Sequence, residues 1–115
     1  MSLTVYHLKN CDTCKKAIKA MLAKGLDLTL VDVREDGISA DQLAKLQSQV
    51  GYEILLNTRS TTWRGLSDEE KADMNAKKAL ELMGEYPTLI KRPIIDDGSL
   101  VTAGWDKKVE ALRTS

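Results

Sequence analysis

Cys11 and Cys14 are the only thiols of the chain. Their Cys-x-x-Cys spacing, within Lys9-Asn10-Cys11-Asp12-Thr13-Cys14-Lys15-Lys16, is the pattern of a redox site. A strand-like run, Leu3-Thr4-Val5-Tyr6-His7-Leu8, precedes them, and Lys15 to Lys24 reads as a helix, so the thiols sit at a strand-to-helix turn. Unpaired N–H groups and the positive end of the helix dipole favour a thiolate over a thiol there. Cys11 is therefore the nucleophile candidate. Cys14, about one helical turn further on, has two readings. It resolves a mixed disulfide formed at Cys11, or it is a small buried hydrophobe on a helix face shared with Ile18, Met21 and Leu22. A structural zinc would need more ligands than these two thiols and the lone His7, so no metal is expected.

The elements that must position this site follow from periodicity and punctuation. The first helix carries Ala17, Ile18, Met21 and Leu22 as an apolar stripe and stops at Gly25. Leu28-Thr29-Leu30-Val31-Asp32-Val33 reads as a second strand, parallel to the first through a right-handed crossover. Ser39 opens a capping box before a helix that runs to Gly51, and Ser67 opens another before one helix or two reaching Gly84. Between them Asn57 to Gly65 is a polar loop holding Arg59, Trp63 and Arg64. Pro87 ends the helical region, and Arg92-Pro93 leads into a strand. Asp97-Gly98 turns it into a hairpin, and a final helix has Asp106 as N-cap with Val109 and Leu112 facing inward. The expected fold is α/β: a mixed four-stranded sheet flanked by helices, with a helical insertion at about residues 39–86 inside one domain spanning 1–115.

The chain has 115 residues, 43% of them hydrophobic, enough to bury a core without staples. Lysine plus arginine matches aspartate plus glutamate at 17 each, so no overall field draws the protein to nucleic acid or to an anionic membrane. Neither a long apolar run nor a basic-then-apolar leader is present, so a cytoplasmic, monomeric protein is expected. In a reducing compartment two cysteines point to catalysis or sensing rather than to a structural disulfide.

Three blocks, Asn10-Cys11-Asp12-Thr13-Cys14-Lys15-Lys16-Ala17, Leu55-Leu56-Asn57-Thr58-Arg59-Ser60 and Ile90-Lys91-Arg92-Pro93-Ile94, stand in this order. Together they resemble the arsenate reductase (ArsC)/Spx/YffB family, and most closely its YffB-type branch, nearly end to end. The resemblance implies a thioredoxin-like fold with Cys11 as nucleophile, Arg92 as its anion or thiolate partner, and Pro93 as a cis proline shaping the site. Arginine beside a thiolate also lowers its pKa on simple electrostatic grounds. Arsenate reductases of this family bind the oxyanion with a set of arginines. Here the first of these positions is Asn57, with Arg59 two places along, and the last falls near Ala103-Gly104, where no arginine stands. That argues against arsenate as the substrate. His7, four residues before Cys11, matches a histidine that those enzymes carry; it either favours the thiolate or simply packs.

The expected activity is thiol–disulfide reduction, with glutathione as co-substrate and glutaredoxin as a further partner. Cys11 would attack, Arg92 would assist, and Cys14 or a second glutathione would clear the mixed disulfide. Substrate contacts are expected from Lys9, Asn10, Thr13, Asn57, Arg59 and Pro93. Lys9, Lys15 and Lys16 make the neighbourhood electropositive, suited to glutathione's carboxylates, although each lysine singly is also ordinary surface charge. Trp63 is a cleft residue with Arg64 or a loop anchor. Two alternatives are an Spx-like redox-sensing regulator that binds RNA polymerase, and arsenate reduction itself.

Overall fold

The computed structural model describes residues 2–114, which form two compact units, one of residues 2–37 with 92–114 and the other Ile38–Lys91. The first unit holds strands β1 (Ser2–His7), β2 (Asp27–Asp32), β3 (Ile94–Asp96) and β4 (Val101–Ala103), with helices α1 (Asp12–Ala23) and α7 (Lys107–Thr114). The second holds α2 (Ala40–Val50), α3 (Tyr52–Leu55), α4 (Thr61–Arg64), α5 (Asp68–Lys71), α6 (Ala76–Glu85) and a 3-10 turn at Pro87–Leu89.

In the first unit the sheet order is β2-β1-β3-β4, the expected mixed four-stranded sheet. β1 is parallel to β2, with Val5 beside Leu30, and antiparallel to β3, with Val5 beside Ile95. Strand alternation then puts Leu3, Val5 and Ile95 on one face, where they bury against Ala17 and Met21 of α1. Trp105 and Val109 pack on the same cluster. Full burial of Val5, Met21 and Ile95 contributes about 1.5–3 kcal/mol each.

Helix α1 begins at Asp12, three residues before the start expected from the lysine-rich pattern, with Cys11 as its N-cap residue and acidic Asp12 in the first turn, where the helix dipole favours it. The buried face is Cys14, Ala17 and Met21. Leu22, expected on that face, is 55% exposed, because the stripe drifts toward the open flank of the helix. A second correction concerns α7, where Leu112 is 53% exposed and Arg113 points inward instead. The Arg113 guanidinium donates to the Ile95 carbonyl at 2.8 Å, to the Leu100 carbonyl at 3.1 Å and to Asp97 Oδ2 at 3.0 Å. The hairpin presents those oxygens and an apolar side chain could not satisfy them. Asp106 caps the helix as expected, its Oδ1 accepting from the Val109 N–H at 2.8 Å.

In the second unit both expected capping boxes form, Ser39 with Gln42 and Ser67 with Glu70. Past Ser67 there are two helices. Asp73 takes φ +51°, a left-handed value that ends α5, and Asn75 caps α6 by accepting from the Lys78 N–H at 2.9 Å. The loop expected over residues 57–65 contains one helical turn, α4, because Ser60 Oγ accepts from the Trp63 N–H. Trp63 is half-buried with the Lys71 ammonium 5.6 Å from its ring centre, the placement of a loop anchor. Among the described residues no helix is long and apolar enough to cross a membrane.

Candidate active site

The first strand delivers its C-terminal end to the site. After His7 the chain turns through Leu8, Lys9 and Asn10, and the Cys11 N–H donates to the Leu8 carbonyl at 3.1 Å. Cys11 is half-buried at the head of α1, and the Cys11 carbonyl receives the first helical hydrogen bond, from the Lys15 N–H at 3.0 Å. Cys14, in the first turn, is fully buried, and both thiols are free.

Burial opposes ionisation of Cys11, yet its pKa lies below the ordinary thiol value. The Cys14 N–H and the Cys14 thiol both turn toward its sulfur, and the Arg92 guanidinium adds a hydrogen bond and a positive charge. The Cys11 side chain makes no capping hydrogen bond, so the Cys14 N–H acts on the sulfur as a directed dipole. Burial pushes Cys14 the other way, to about 12. The Leu8 N–H and the Arg92 charge pull it down, but they are outweighed once the bond and charge of Cys11 are added to the burial. One thiol is set to lose its proton and its neighbour to keep it.

Arg92 and Pro93 enter from the start of β3. The Arg92–Pro93 peptide bond is cis, and the Pro93 ring is fully buried with its carbonyl accepting from the Gly104 N–H at 2.9 Å. Cys11 and Cys14 of one stretch are thus brought together with Arg92, about 80 residues further along the chain. Lys9 and Asn10 are exposed on the loop before Cys11, and the Lys9 ammonium pairs with Glu35 at 2.5 Å. Thr13 opens onto a groove of about 330 Å³ that Lys16 and Trp105 also line. Cys14 borders a different, mainly apolar groove of about 390 Å³ with His7, Leu8, Ile18 and Leu22. His7 lies beside Asp32 in the strand register, and its charge acts on that carboxylate. Asn57 and Arg59 belong to the second unit, where Asn57 Oδ1 accepts from the Arg59 N–H at 3.1 Å and both line a recess of about 220 Å³ with Lys91. Among the described residues no group of three metal-ligating side chains comes together.

In the sequence Asp32 reads as an ordinary strand residue. It is 3% exposed and accepts three backbone N–H bonds, from Lys9 at 3.0 Å and from Arg34 and Glu35 at 2.8 Å each. A carboxylate at the end of the apolar run Leu28 to Val33, just before a turn, was the available signal, since a buried charge needs donors.

A mixed α/β sheet with a thiol pair at the head of its first helix and an arginine entering through a cis proline defines a thioredoxin-like thiol protein. The chain belongs to the ArsC family, whose model matches residues 6–111. It is 42% identical over 106 residues to an uncharacterized protein of Haemophilus influenzae, covering 92% of this chain and 93% of that one. The solved structure of the YFFB (PA3664) protein superimposes with a TM-score of 0.92 at 31% identity, covering 98% of this chain and 99% of that one. An arsenate reductase (ArsC) related protein from Brucella melitensis follows with a TM-score of 0.80 at 36% identity, over 96% and 93% of the two chains. More distant relatives include the global transcriptional regulator Spx of Streptococcus pyogenes, 24% identical over 91% of this chain and 79% of that one.

Proposed function

We propose that the chain is a cytoplasmic, glutathione-linked thiol–disulfide oxidoreductase with Cys11 as its nucleophile. The observation that carries this reading is the opposed acidity of the two thiols, a half-buried Cys11 favoured as thiolate beside Arg92 and a fully buried Cys14 that keeps its proton.

In this reading the Cys11 thiolate attacks the glutathione sulfur of a glutathione mixed disulfide. A Cys11–S bond forms as the substrate S–S bond breaks, and the departing thiolate takes a proton from water. A second glutathione thiolate then attacks the Cys11 mixed disulfide, releasing oxidised glutathione and restoring the Cys11 thiolate. One free glutathione thiol is thus oxidised as the substrate sulfur is reduced to a thiol, and the other half of the oxidised glutathione is the glutathionyl group of the substrate itself. Burial of Cys14 supports clearance by glutathione, because a buried neutral thiol is a poor nucleophile. Lys15 and Lys16, both exposed next to the thiols, suit the carboxylates of glutathione. Asn10, Thr13 and Pro93 are the contacts proposed around the incoming disulfide.

Glutathione-coupled reduction of a model mixed disulfide tests the reading. Wild type and Cys14→Ala turn over and Cys11→Ser does not; full activity in Cys11→Ser overturns it. The likeness to Spx, together with two free thiols at one helix head, favours a second reading, a redox switch that binds RNA polymerase. Capture of the polymerase α subunit by the oxidised or the reduced form alone would support it, and no capture in either state removes it.

A further inference from the structure

We infer that Asp32 is a positioning residue for Cys11, holding the loop that carries the nucleophile through its Oδ2 while its Oδ1 holds the turn that follows β2. The inference rests on Cys11 being the reactive thiol, as proposed above.

The two oxygens have separate tasks. Oδ1 accepts from the N–H groups of Arg34 and Glu35, a local arrangement that any aspartate before a turn can make. Oδ2 reaches across to the Lys9 N–H, 23 residues away in sequence, two positions before Cys11. That bond is the buried side-chain tie between the end of β2 and the loop of the nucleophile, beside the backbone bond from the Val33 N–H to the His7 carbonyl at 2.9 Å, and burial of the carboxylate keeps water from replacing it. The Asp32 backbone adds to the anchorage, its N–H donating to Asp36 Oδ2 at 2.9 Å and its carbonyl accepting from Asp36 and Gly37. At the surface the Lys9–Glu35 ion pair joins the same two segments, but both side chains are more than half exposed.

The Cys11 sulfur depends on this placement because its thiolate is favoured by groups that act over short distances, the Cys14 N–H and thiol and the Arg92 guanidinium. A loop released at Lys9 lets the sulfur move away from all three. The negative charge of Asp32 by itself would disfavour a nearby thiolate, so its contribution comes through the hydrogen bonds and not through its field. Around the carboxylate stand His7, Lys9, Arg34, Glu35 and Asp36; the Asp36 carboxylate is engaged by the Asp32 N–H and that of Glu35 by the Lys9 ammonium, so the Lys9 N–H is held by Asp32 Oδ2.

Asp32→Asn separates the two tasks, since the amide keeps one acceptor oxygen for the turn and presents an NH2 group to the Lys9 N–H. The measurement is the rate of Cys11 alkylation by iodoacetamide, a neutral reagent, as a function of pH. Asp32→Asn is expected to move the midpoint upward and to slow alkylation at pH 7 about tenfold, the effect of roughly one unit in thiol pKa. Glu35→Gln, which removes only the surface ion pair, should stay within about twofold of wild type. A folded Asp32→Asn with the wild-type pH profile overturns the inference. If that variant does not fold, the amide resonances of the wild-type protein decide: on acidification Lys9 must shift at the same midpoint as Arg34 and Glu35, and an unmoved Lys9 overturns it. Wild-type Cys11 that alkylates no faster than a free cysteine would instead sink the proposed function.

Discussion

Cys11 and Cys14 depart in opposite directions from the ordinary thiol value, Cys11 below it and Cys14 up to about 12. The split is mutual. The Cys14 thiol acts as donor to the Cys11 sulfur, and an anionic Cys11 in turn discourages a second negative charge at Cys14. Once Cys11 is bound in a mixed disulfide its charge is gone, and only burial still holds the Cys14 proton against Arg92 and the Leu8 N–H.

Removing the donor tests this coupling. Cys14→Ala takes the thiol away from the Cys11 sulfur but leaves the Cys14 N–H and Arg92, so the midpoint of Cys11 alkylation rises while turnover persists. The vacated volume costs about 1 kcal/mol of stability. Alkylation against pH and a denaturant melt read the two effects separately.

Arg92 supplies the positive charge at the site. Arg92→Met is expected to raise the Cys11 midpoint and to lower turnover at neutral pH about tenfold or more, as expected for a lost charge-assisted bond. Arg92→Lys restores part of the charge without the planar donor pair, so it should fall between the two.

The same thiols give stability a pH dependence with two signs. Cys11 is lowered in the folded state, so its contribution is present above the unfolded thiol value and is lost as pH falls through the folded one. Cys14 is raised from 9.0 to about 12, so between those values the unfolded chain releases a proton that the folded chain keeps. Stability from this group therefore falls with rising pH at about 1.4 kcal/mol per unit. Thermal melts across the alkaline range should show this decline in wild type and a shallower one in Cys14→Ala.

Arg113→Met should be among the more damaging changes in the first unit. It leaves the carbonyls of Ile95 and Leu100 without their guanidinium donor, and the expected loss is about 2–4 kcal/mol. Urea denaturation measures it, and a loss under about 0.5 kcal/mol would show that water satisfies the hairpin oxygens.

What could be read from the sequence was mostly what local chemistry determines. The capping serines 39 and 67 and the cap at Asp106 announce their helices through side chains that bond within three residues. The mixed four-stranded sheet followed from the crossover and the hairpin, and the Cys-x-x-Cys pair marked the helix head; the strand order, with β3 beside β1, comes from the structure alone. The features that escaped depend on partners far along the chain. Arg113 reads as a surface cation until the hairpin carbonyls stand beside it, and Leu112 wins on hydrophobicity alone. Asp32 reads as strand because the Lys9 amide that engages it lies beyond any local window. Cysteine is an unusual N-cap residue, so the sequence pattern places the start of α1 too late.

The register of β1 against β3 has a kinetic consequence. Thr4 pairs with Asp96 across nearly the whole chain, whereas Ser2 and Asp27 pair within the first quarter of it. During synthesis β1, α1 and β2 are complete long before β3 exists, and the Ile38–Lys91 unit emerges in between. Arg92, which favours the Cys11 thiolate, therefore reaches the thiol only when this long loop closes. Until then the Cys11 thiolate is favoured only by groups of its own helix, the Cys14 N–H and thiol, and the charge-assisted part of its acidity is acquired at one of the last steps of folding.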